Sequence, residues 1–329
     1  MYLQYPKLPK RRWIIVLIPL SVTFIAWNLA NSIRPETFSK HSSSLSPMPY
    51  PSLPEAHEGT ISLLTYNIAG LPEPISSAKT PRARSIKAIG EKLNGFDIVN
   101  VQEDFNYNDE LYTGGNDHPF RTETMGKVPF SDGLNTLSKF PITDLERVKW
   151  RDCTGADCLT PKGFTYAKLQ LAKNVWVDLY NVHANAQDSK EAAAARCKNM
   201  DQLVEFINLH SKGKAIILMG DFNAHYCFER DNIRDFVAQT GVLDSWVYLQ
   251  NQGHMPKVKS GFRADRMLSV HDNCETIDKV MVRNSSQIYF LPEKYSVERE
   301  LFTDNAGLSL SDHHAVGVKV RWEYCIDSE

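Results

Sequence analysis

The sequence lacks an excess of charge of either sign: 37 lysines and arginines face 39 aspartates and glutamates, a formal net charge of -2. A protein that binds nucleic acid nonspecifically needs cations to neutralise phosphates, so this balance argues against that class without excluding it. The six cysteines include no Cys-x-x-Cys pair, which argues against a zinc site. No internal repeat is present, and 329 residues leave room for one large domain or two small ones.

Apolar runs of transmembrane length are absent except at the N-terminus. Four basic residues between positions 7 and 12 precede an apolar stretch from Trp13 to about Ala30, about as long as the shortest transmembrane helices. This order predicts that residues 1–12 stay cytosolic and that residues 13–30 are a transmembrane signal anchor or a cleaved signal peptide. The rest of the chain is then expected to be lumenal or extracellular, in a single-pass membrane protein or a secreted one.

Residues 31–58 are rich in serine and proline, which predicts an extended linker, and the folded catalytic domain is expected at 59–325. Six cysteines suit an oxidising compartment. Cys153 and Cys158 bracket a turn-forming stretch, so a local disulfide is predicted there, whereas the pairing of the other four cannot be read from the sequence. Asn284 opens a glycosylation sequon and is an acceptor if this part of the chain is lumenal.

Within the predicted domain, strand-like and helix-like segments alternate. Strands are predicted over 61–68, 97–102, 133–138, 164–171, 175–182, 214–219, 276–282 and 315–322. Helical spacing marks 82–93, and a second helix, capped by Asp188, is predicted to run to about His210. Polar residues recur where these strands end. Asn and Asp favour turns, which accounts for single positions but not for so many of the right chemical types. We therefore expect one site at a sheet edge.

Cleavage of a phosphodiester requires a cation for the phosphoryl oxygens, a base for water, and an acid or metal for the leaving oxygen. Glu103 follows a buried-type strand and is a natural hard-metal ligand, although a solvated loop carboxylate is the alternative. Gly220 permits a tight exit from its strand. Asp221 and Asn223 can point the same way in extended backbone, one offering a carboxylate to water or metal and the other an amide to a phosphoryl oxygen.

Two histidines are candidates for proton transfer. An imidazole ordinarily titrates near neutral pH, so His313 is the predicted base, with Asp278 as its orienting carboxylate. Asp312 could bind metal or position His313, while His314 should face the other side of a strand. His183, after its own strand, could protonate the leaving oxygen or contact phosphate; the alternative is a hydrogen-bonded core histidine.

These residues, in this order, resemble the endonuclease/exonuclease/phosphatase superfamily of magnesium-dependent phosphoesterases over about residues 60–323. The resemblance implies an α/β (α+β), deoxyribonuclease-like fold: a four-layered αββα sandwich with two mixed sheets face to face and helices outside. It also implies Mg²⁺, or another divalent cation, as cofactor. The implied roles are metal binding by Glu103, Asn67, Asp221 and Asp312; phosphate binding by Asn67, Asn223 and His183; and catalysis by His313, Asp278, His183, Asp221 and Asn223.

Shorter segments are similar to the secreted sphingomyelinase C and phospholipase C-like branch. They cover 133–142, 153–168 and 180–189, and in this branch the histidine acts near the leaving group. Bacterial members carry an exposed aromatic hairpin for membrane contact between the last two motifs. The corresponding stretch here contains Tyr289, Phe290 and Tyr295 but no tryptophan, and it carries several charges. We therefore expect the N-terminal segment, rather than this element, to keep the enzyme near lipid.

The first hypothesis is a magnesium-dependent phosphodiesterase that hydrolyses a phospholipid headgroup by in-line attack of activated water. The expected partners are a phospholipid or other phosphodiester substrate and the membrane, with a monomeric chain.

A secreted or lumenal endonuclease on the same scaffold is the main alternative, and nucleic acid is the less favoured partner. Arg82, Arg84 and Lys87 could contact a nucleic-acid backbone, but a solvated helix face is the preferred interpretation of these three. Hydrolysis of a soluble inositol phosphate is a further alternative. A catalytically silent binding module is disfavoured, because such a module has no reason to keep the complete set of site residues.

Overall fold

The structure is a computed structural model, and it describes residues 53–325. These residues form two six-stranded sheets with helices on their outer faces. Sheet A has the order β11-β12-β1-β2-β4-β3 and sheet B the order β5-β6-β7-β8-β10-β9. The strands are β1 (Glu58–Asn67), β2 (Ile98–Gln102), β3 (Phe120–Arg121), β4 (Asn135–Ser138), β5 (Ile142–Lys149), β6 (Gly163–Ala172), β7 (Val175–His183), β8 (Ile216–Asp221), β9 (Leu243–Asp244), β10 (Asp278–Arg283), β11 (Ile288–Glu298) and β12 (Ala315–Tyr324). The α-helices are α1 (Arg82–Lys92), α2 (Asn108–Thr113), α3 (Lys190–His210), α4 (Ile233–Thr240) and α5 (Ser245–Gln250).

Both sheets are mixed, with one parallel pair in each. In sheet A, β1 runs parallel to β2, and in sheet B, β7 runs parallel to β8; the other pairs are antiparallel. Parallel strands end at the same edge of a sheet, so in each sheet the loops that follow the two parallel strands lie side by side. We call the edge at which β1, β2, β7 and β8 end the site end.

The core lies between the sheets and beneath the helices. β1 and β2 pack against β7, β8 and β10, which closes the two inner faces on each other. Helix α1 buries Ile86 and Ile89 against the outer face of sheet A, as their helical spacing predicts. Helix α3 buries Leu203 and Ile207 against sheet B. The predicted four-layered fold is confirmed, because helix, sheet, sheet and helix follow one another.

A chain of buried amides joins the two sheets just below the site end. Asn100 donates from Nδ2 to the carbonyl of Tyr180 at 2.9 Å, and Gln102 donates from Nε2 to Oδ1 of Asn181 at 2.7 Å. Asn181 in turn donates to the carbonyls of Val101 and Asn135, each at 3.0 Å. Buried polar groups need such partners, so these bonds fix how the sheets sit on each other.

The predicted capping residue of the long helix is wrong by one position. Ser189, not Asp188, is the N-cap of α3, and its hydroxyl accepts a hydrogen bond from the amide of Ala192 at 3.1 Å. The carboxylate of Asp188 lies instead 3.9 Å from the Arg196 guanidinium. Serine and aspartate cap the unpaired amides of a first helical turn about equally well, so the sequence did not distinguish Ser189 from Asp188 as the N-cap.

The stretch that corresponds to the membrane hairpin of bacterial relatives is the edge strand β11. It pairs with β12 along its length and buries Phe290 and Tyr295, leaving Tyr289 half exposed. No helix within residues 53–325 has both the length and the apolar character that a membrane span needs. The predicted segments 1–12 and 13–30 and nearly all of the predicted linker lie outside the described residues and stay predictions.

Candidate active site

The predicted site residues meet at the site end. Asn67 is the last residue of β1 and Glu103 follows β2, while His183 and Asp221 end β7 and β8. Asp278 begins the neighbouring strand β10. The segment before β12 adds Asp312 and His313. The two sheets therefore contribute to one polar cluster across their interface.

Asn67 links the halves of this cluster. Its Nδ2 lies 3.2 Å from Oε1 of Glu103 on sheet A and 3.2 Å from Oδ2 of Asp221 on sheet B. Its Oδ1 accepts the amide of Ala69 at 3.1 Å, and its backbone carbonyl accepts the hydroxyl of Ser311 at 2.7 Å. In this orientation the amide nitrogen donates to the site, and the amide oxygen keeps one lone pair beside the hydrogen bond from Ala69, so metal binding by Asn67 stays a prediction.

Glu103 occupies a sharp turn directly after β2. Its φ of 57° is left-handed, an uncommon conformation for a glutamate that costs on the order of 1 kcal/mol and turns the side chain back toward Asn67. Its carbonyl accepts the amide of Gly70 at 2.9 Å. A Cβ on Gly70 would lie 2.2 Å from that carbonyl oxygen, so only glycine allows this approach. Burial raises the pKa of Glu103, and Asp312 raises it further.

Asp221 ends the extended strand β8, but the extended backbone does not continue to Asn223 as predicted. Asn223 has a φ of 51°, and its amide donates to Oδ1 of Asp221 at 3.0 Å, which closes a tight turn. Its Nδ2 reaches the carbonyl of Ala184 at 3.2 Å. Gly220 is also not an exit residue: it lies inside β8, where a Cβ would meet the Val182 carbonyl oxygen at 2.1 Å. This glycine lets β7 and β8 approach closely.

Asp278 and His313 form a buried pair. Oδ2 of Asp278 lies 2.9 Å from Nδ1 of His313, and Nε2 of the same ring lies 3.9 Å from Oδ2 of Asp221. Burial lowers the pKa of His313, but the charge and hydrogen bond of Asp278, with Asp221 and Asp312, outweigh it and raise the pKa to about 10. Burial also raises the pKa of Asp221, and repulsion by Asp278 adds to this.

The donor set fits a hard divalent cation. Glu103, Asp221, Asp278 and Asp312 bring four carboxyl groups to one place. Burial raises the pKa of Glu103 and of Asp221, and repulsion by Asp312 and Asp278, respectively, adds to the effect of burial. Ligand atoms of Asp221, Asp278 and His313 also lie within 4.8 Å of one another. The hydrogen bond between Asp278 and His313 already uses part of that trio. Glu103, with Asp312 nearby, adds further carboxylate oxygens beside this trio, and such oxygens are the ligands that magnesium prefers.

His183 faces the cluster from β7. Its Nε2 lies 3.5 Å from Oδ2 of Asp221, and its Nδ1 is buried without a hydrogen-bond partner among residues 53–325. It is therefore not a fully hydrogen-bonded core histidine. Burial lowers the pKa of His183 well below its usual value, and the charges of Lys162 and His313 lower it further. The ring is neutral, and its Nε2 is the nitrogen that faces the cluster.

Lys162 is a site residue that the sequence did not identify. It is buried, and its Nζ lies 2.6 Å from Oδ1 of Asp157. Its charge also lowers the pKa of Glu103 and of Asp221 against the effect of burial, so the ammonium group acts electrostatically on both carboxyl groups. Asp157 sits inside the loop closed by the confirmed disulfide between Cys153 and Cys158. A single lysine before a strand belongs to no recognisable sequence motif, so only the three-dimensional structure shows that Lys162 lies near the site.

Arg82 corrects the prediction of a solvated basic helix face. Arg84 and Lys87 are exposed, but Arg82 is fully buried. Its guanidinium donates to the carbonyls of Ile68 at 2.6 Å, Ala69 at 2.9 Å and Leu310 at 2.8 Å. Arg82 therefore joins the turn after Asn67 to the segment before His313.

Replacement of Arg82 by methionine should lower the free energy of unfolding by about 3 kcal/mol, because three buried carbonyls lose charged donors. Urea denaturation measures this loss. The exposed neighbour supplies a matched control: Arg84→Met should change stability by no more than ~0.5 kcal/mol. Equal effects of the two substitutions would contradict a stabilising role for the hydrogen bonds of Arg82.

Comparison with known proteins agrees with this geometry. The Endonuclease/Exonuclease/phosphatase family 2 profile matches residues 26–319. A sphingomyelinase of Mycobacterium tuberculosis is 38% identical over 262 residues, which are 78% of this chain and 51% of that protein. The chain thus spans about half the length of the curated relatives it matches.

Solved structures resemble the fold at low sequence identity. Sphingomyelinase C from Streptomyces griseocarneus has a TM-score of 0.55 at 20% identity and covers 79% of this chain and 99% of its own. Beta toxin from Staphylococcus aureus with bound magnesium ions has a TM-score of 0.55 at 15% identity and covers 79% of this chain and 99% of its own. TDP2 of D. rerio with a single-strand DNA product has a TM-score of 0.57 at 17% identity and covers 80% of this chain and 99% of its own. These scores support the fold and do not separate lipid from DNA substrates.

Proposed function

Since this chain belongs to the endonuclease/exonuclease/phosphatase family 2, we propose that it is a metal-dependent phosphodiesterase that releases a phospholipid headgroup. The observation that carries the proposal is the His313 ring held between Asp278 and Asp221, next to the buried carboxyl group of Glu103. A base with its orienting carboxylate beside a cation-binding carboxylate is what phosphoester hydrolysis requires.

The proposed base is His313. Asp278 fixes the ring by accepting the proton on Nδ1, so that Nε2 faces Asp221 and the site. Asp221 would orient the attacking water, and Nε2 would take its proton when the ring is neutral. The charge of a divalent cation bound nearby would favour the neutral ring by lowering the pKa of His313. A divalent cation held by Glu103, with Asp312 nearby, would supply neutralisation of the phosphoryl oxygens. The charge of Lys162 acts on neutral His183, and we propose that both side chains contact the phosphoryl or leaving oxygen.

Asp278→Asn should move the acid limb of the pH–rate profile to lower pH. The limb reports loss of the neutral base, and the carboxylate of Asp278 raises the pKa of His313 and that of Asp221. Removing its charge lowers both pKa values, while the plateau rate falls because the amide does not stabilise the ring once the ring has taken a proton. The measurement is kcat/KM against pH with a soluble diester. An unchanged limb, matching the exposed control Asp265→Asn, would contradict the pairing.

Lys162→Met should lower kcat/KM by about 100-fold, the usual cost of losing one positioned charge or donor to the reacting phosphate. Lys168→Met is the matched control. Lys168 lies on β6 farther from the site and forms an ion pair with Asp144. The control variant should retain nearly full activity. Equal activity of the two variants would remove Lys162 from the site.

The lipid substrate is favoured by the sphingomyelinase relative at 38% identity. The likeness to TDP2, whose structure holds a DNA product, keeps an endonuclease as the second candidate. A panel of labelled phospholipids, single-stranded DNA and plasmid DNA, assayed with magnesium, decides between them. Release of phosphocholine from sphingomyelin without nicking supports the proposal. DNA cleavage without lipid turnover would replace it by the nuclease.

A further inference from the structure

Exposed apolar side chains concentrate on the loops of the site end. Among residues 53–325, eight of the fourteen exposed large hydrophobic residues lie there: Ile75, Met125, Phe130, Leu159, Val258, Leu268, Leu301 and Leu308. The three most prominent on loops next to site residues are Phe130 at 76%, Leu159 at 71% and Ile75 at 63% exposure. They are single apolar side chains on three separate loops rather than an apolar face of one helix or sheet.

Each of these loops is fastened to a segment that carries a site residue. The loop with Ile75 begins at Gly70, whose amide donates to the Glu103 carbonyl at 2.9 Å. The loop with Phe130 ends at Gly133, whose carbonyl accepts the amide of Asp104 at 2.9 Å. Leu159 ends the short 3-10 helix that contains Asp157, the partner of Lys162. The apolar tips therefore project from the rim of the catalytic site.

A fourth loop at this end is cationic. Between positions 257 and 266 it carries Lys257, Lys259, Arg263 and Arg266 against one acid, Asp265, and all five are exposed. This local excess contrasts with the formal net charge of -2 for the whole chain.

The cationic loop is also fixed beside the site. The ring of Phe262 lies 5.0 Å from that of His225, two residues after Asn223. The carbonyl of Leu268 lies 3.2 Å from Nε2 of His314. These contacts hold the positive charges at the same end as the apolar tips.

We propose that the site end docks on an anionic phospholipid bilayer, with Phe130, Leu159 and Ile75 entering the interface and the loop 257–266 binding headgroup phosphates. Apolar tips with adjacent cations are what an anionic lipid surface binds. Nucleic acid would use the cations but not aliphatic side chains at loop tips. The choice of lipid rests on the proposed function, since docking in this orientation would bring a headgroup to His313.

The test uses the full chain with His313→Ala, so that no lipid is hydrolysed while binding is measured. An environment-sensitive fluorescent amino acid replaces Phe130 in one variant and Leu209 in the other. Leu209 is the matched control, because it is 77% exposed and lies at the far end of α3. Residues 1–52 are identical in both, so any anchoring by them affects the two probes equally.

With vesicles of phosphatidylcholine and phosphatidylserine, the probe at 130 should shift to the blue and the probe at 209 should not. Lys257→Gln with Arg263→Gln should weaken the interaction by about 25-fold, roughly 5-fold per charge, seen as a higher phosphatidylserine fraction for the half-maximal shift. No shift at 130, equal shifts at both positions, or no effect of the double substitution would overturn the proposal. So would binding of a single-stranded DNA oligonucleotide that needs Lys257 and Arg263, without a shift at 130.

Failure of this inference and failure of the proposed function give different results. If the wild-type chain hydrolyses sphingomyelin but the probe at 130 stays in water, the docking surface is wrong and the activity stands. If the probe at 130 enters the bilayer but the wild-type chain hydrolyses no lipid, the docking surface stands and the proposed activity is wrong.

Discussion

His313→Ala should lower phosphodiester hydrolysis by at least ~100-fold, the typical contribution of a positioned general base. The loss should fall on kcat, because the ring acts on water rather than on substrate binding. Asp278 would keep its place at the start of β10, where its Oδ1 already has no hydrogen-bond partner among the described residues. The measurement is steady-state turnover of a soluble diester with magnesium in excess.

The neighbouring histidine provides the control. His314 turns away from the cluster and lies 3.2 Å from the Leu268 carbonyl through Nε2. His314→Ala should therefore keep turnover within a few-fold of the wild type. If His313→Ala kept full activity, the mechanism would be wrong even though the fold is right.

Glu103→Gln should lower turnover at low magnesium by at least ~100-fold and raise the magnesium concentration needed for half-maximal rate. The amide keeps the size of the side chain but removes the charge that would hold a divalent cation. The substitution should also remove a buried carboxylate, so the melting temperature without metal should not fall. Titration of activity and of the melting temperature with magnesium measures both effects.

Glu91→Gln is the matched control, because Glu91 is an exposed glutamate on α1. It should leave the magnesium dependence unchanged. A Glu103→Gln enzyme with wild-type magnesium dependence would place the cation elsewhere, with the trio of Asp221, Asp278 and His313 as the next candidate.

The sequence predicts best where a short apolar run ends in a polar residue. Asn67, Glu103 and Asp221 follow buried strands, and parallel pairing brings the ends of β1 with β2 and of β7 with β8 to one edge. The periodicity of the strands therefore predicts both the sheet and the residues that its edge presents. The backbone at these ends was less predictable, since φ turns positive at Glu103, where Gly70 donates to the carbonyl, and at Asn223, which bonds to Asp221 and Ala184.

Long-range partners explain what the sequence did not reveal. Arg82 has the spacing of an exposed helix residue, and its burial depends on the carbonyl of Leu310, 228 positions away. Lys162 reaches the site because β6 pairs with β7 and places its start beside His183. Neither partner leaves a local pattern, so tertiary contact decides both positions.

The most direct test of the account is phosphocholine release from sphingomyelin by the full chain, first with magnesium, then with EDTA in excess, and then with magnesium restored. We expect release with magnesium, a loss of at least ~100-fold in chelator, and recovery when the metal returns. Release that continues unaltered in chelator would contradict the metal-dependent mechanism.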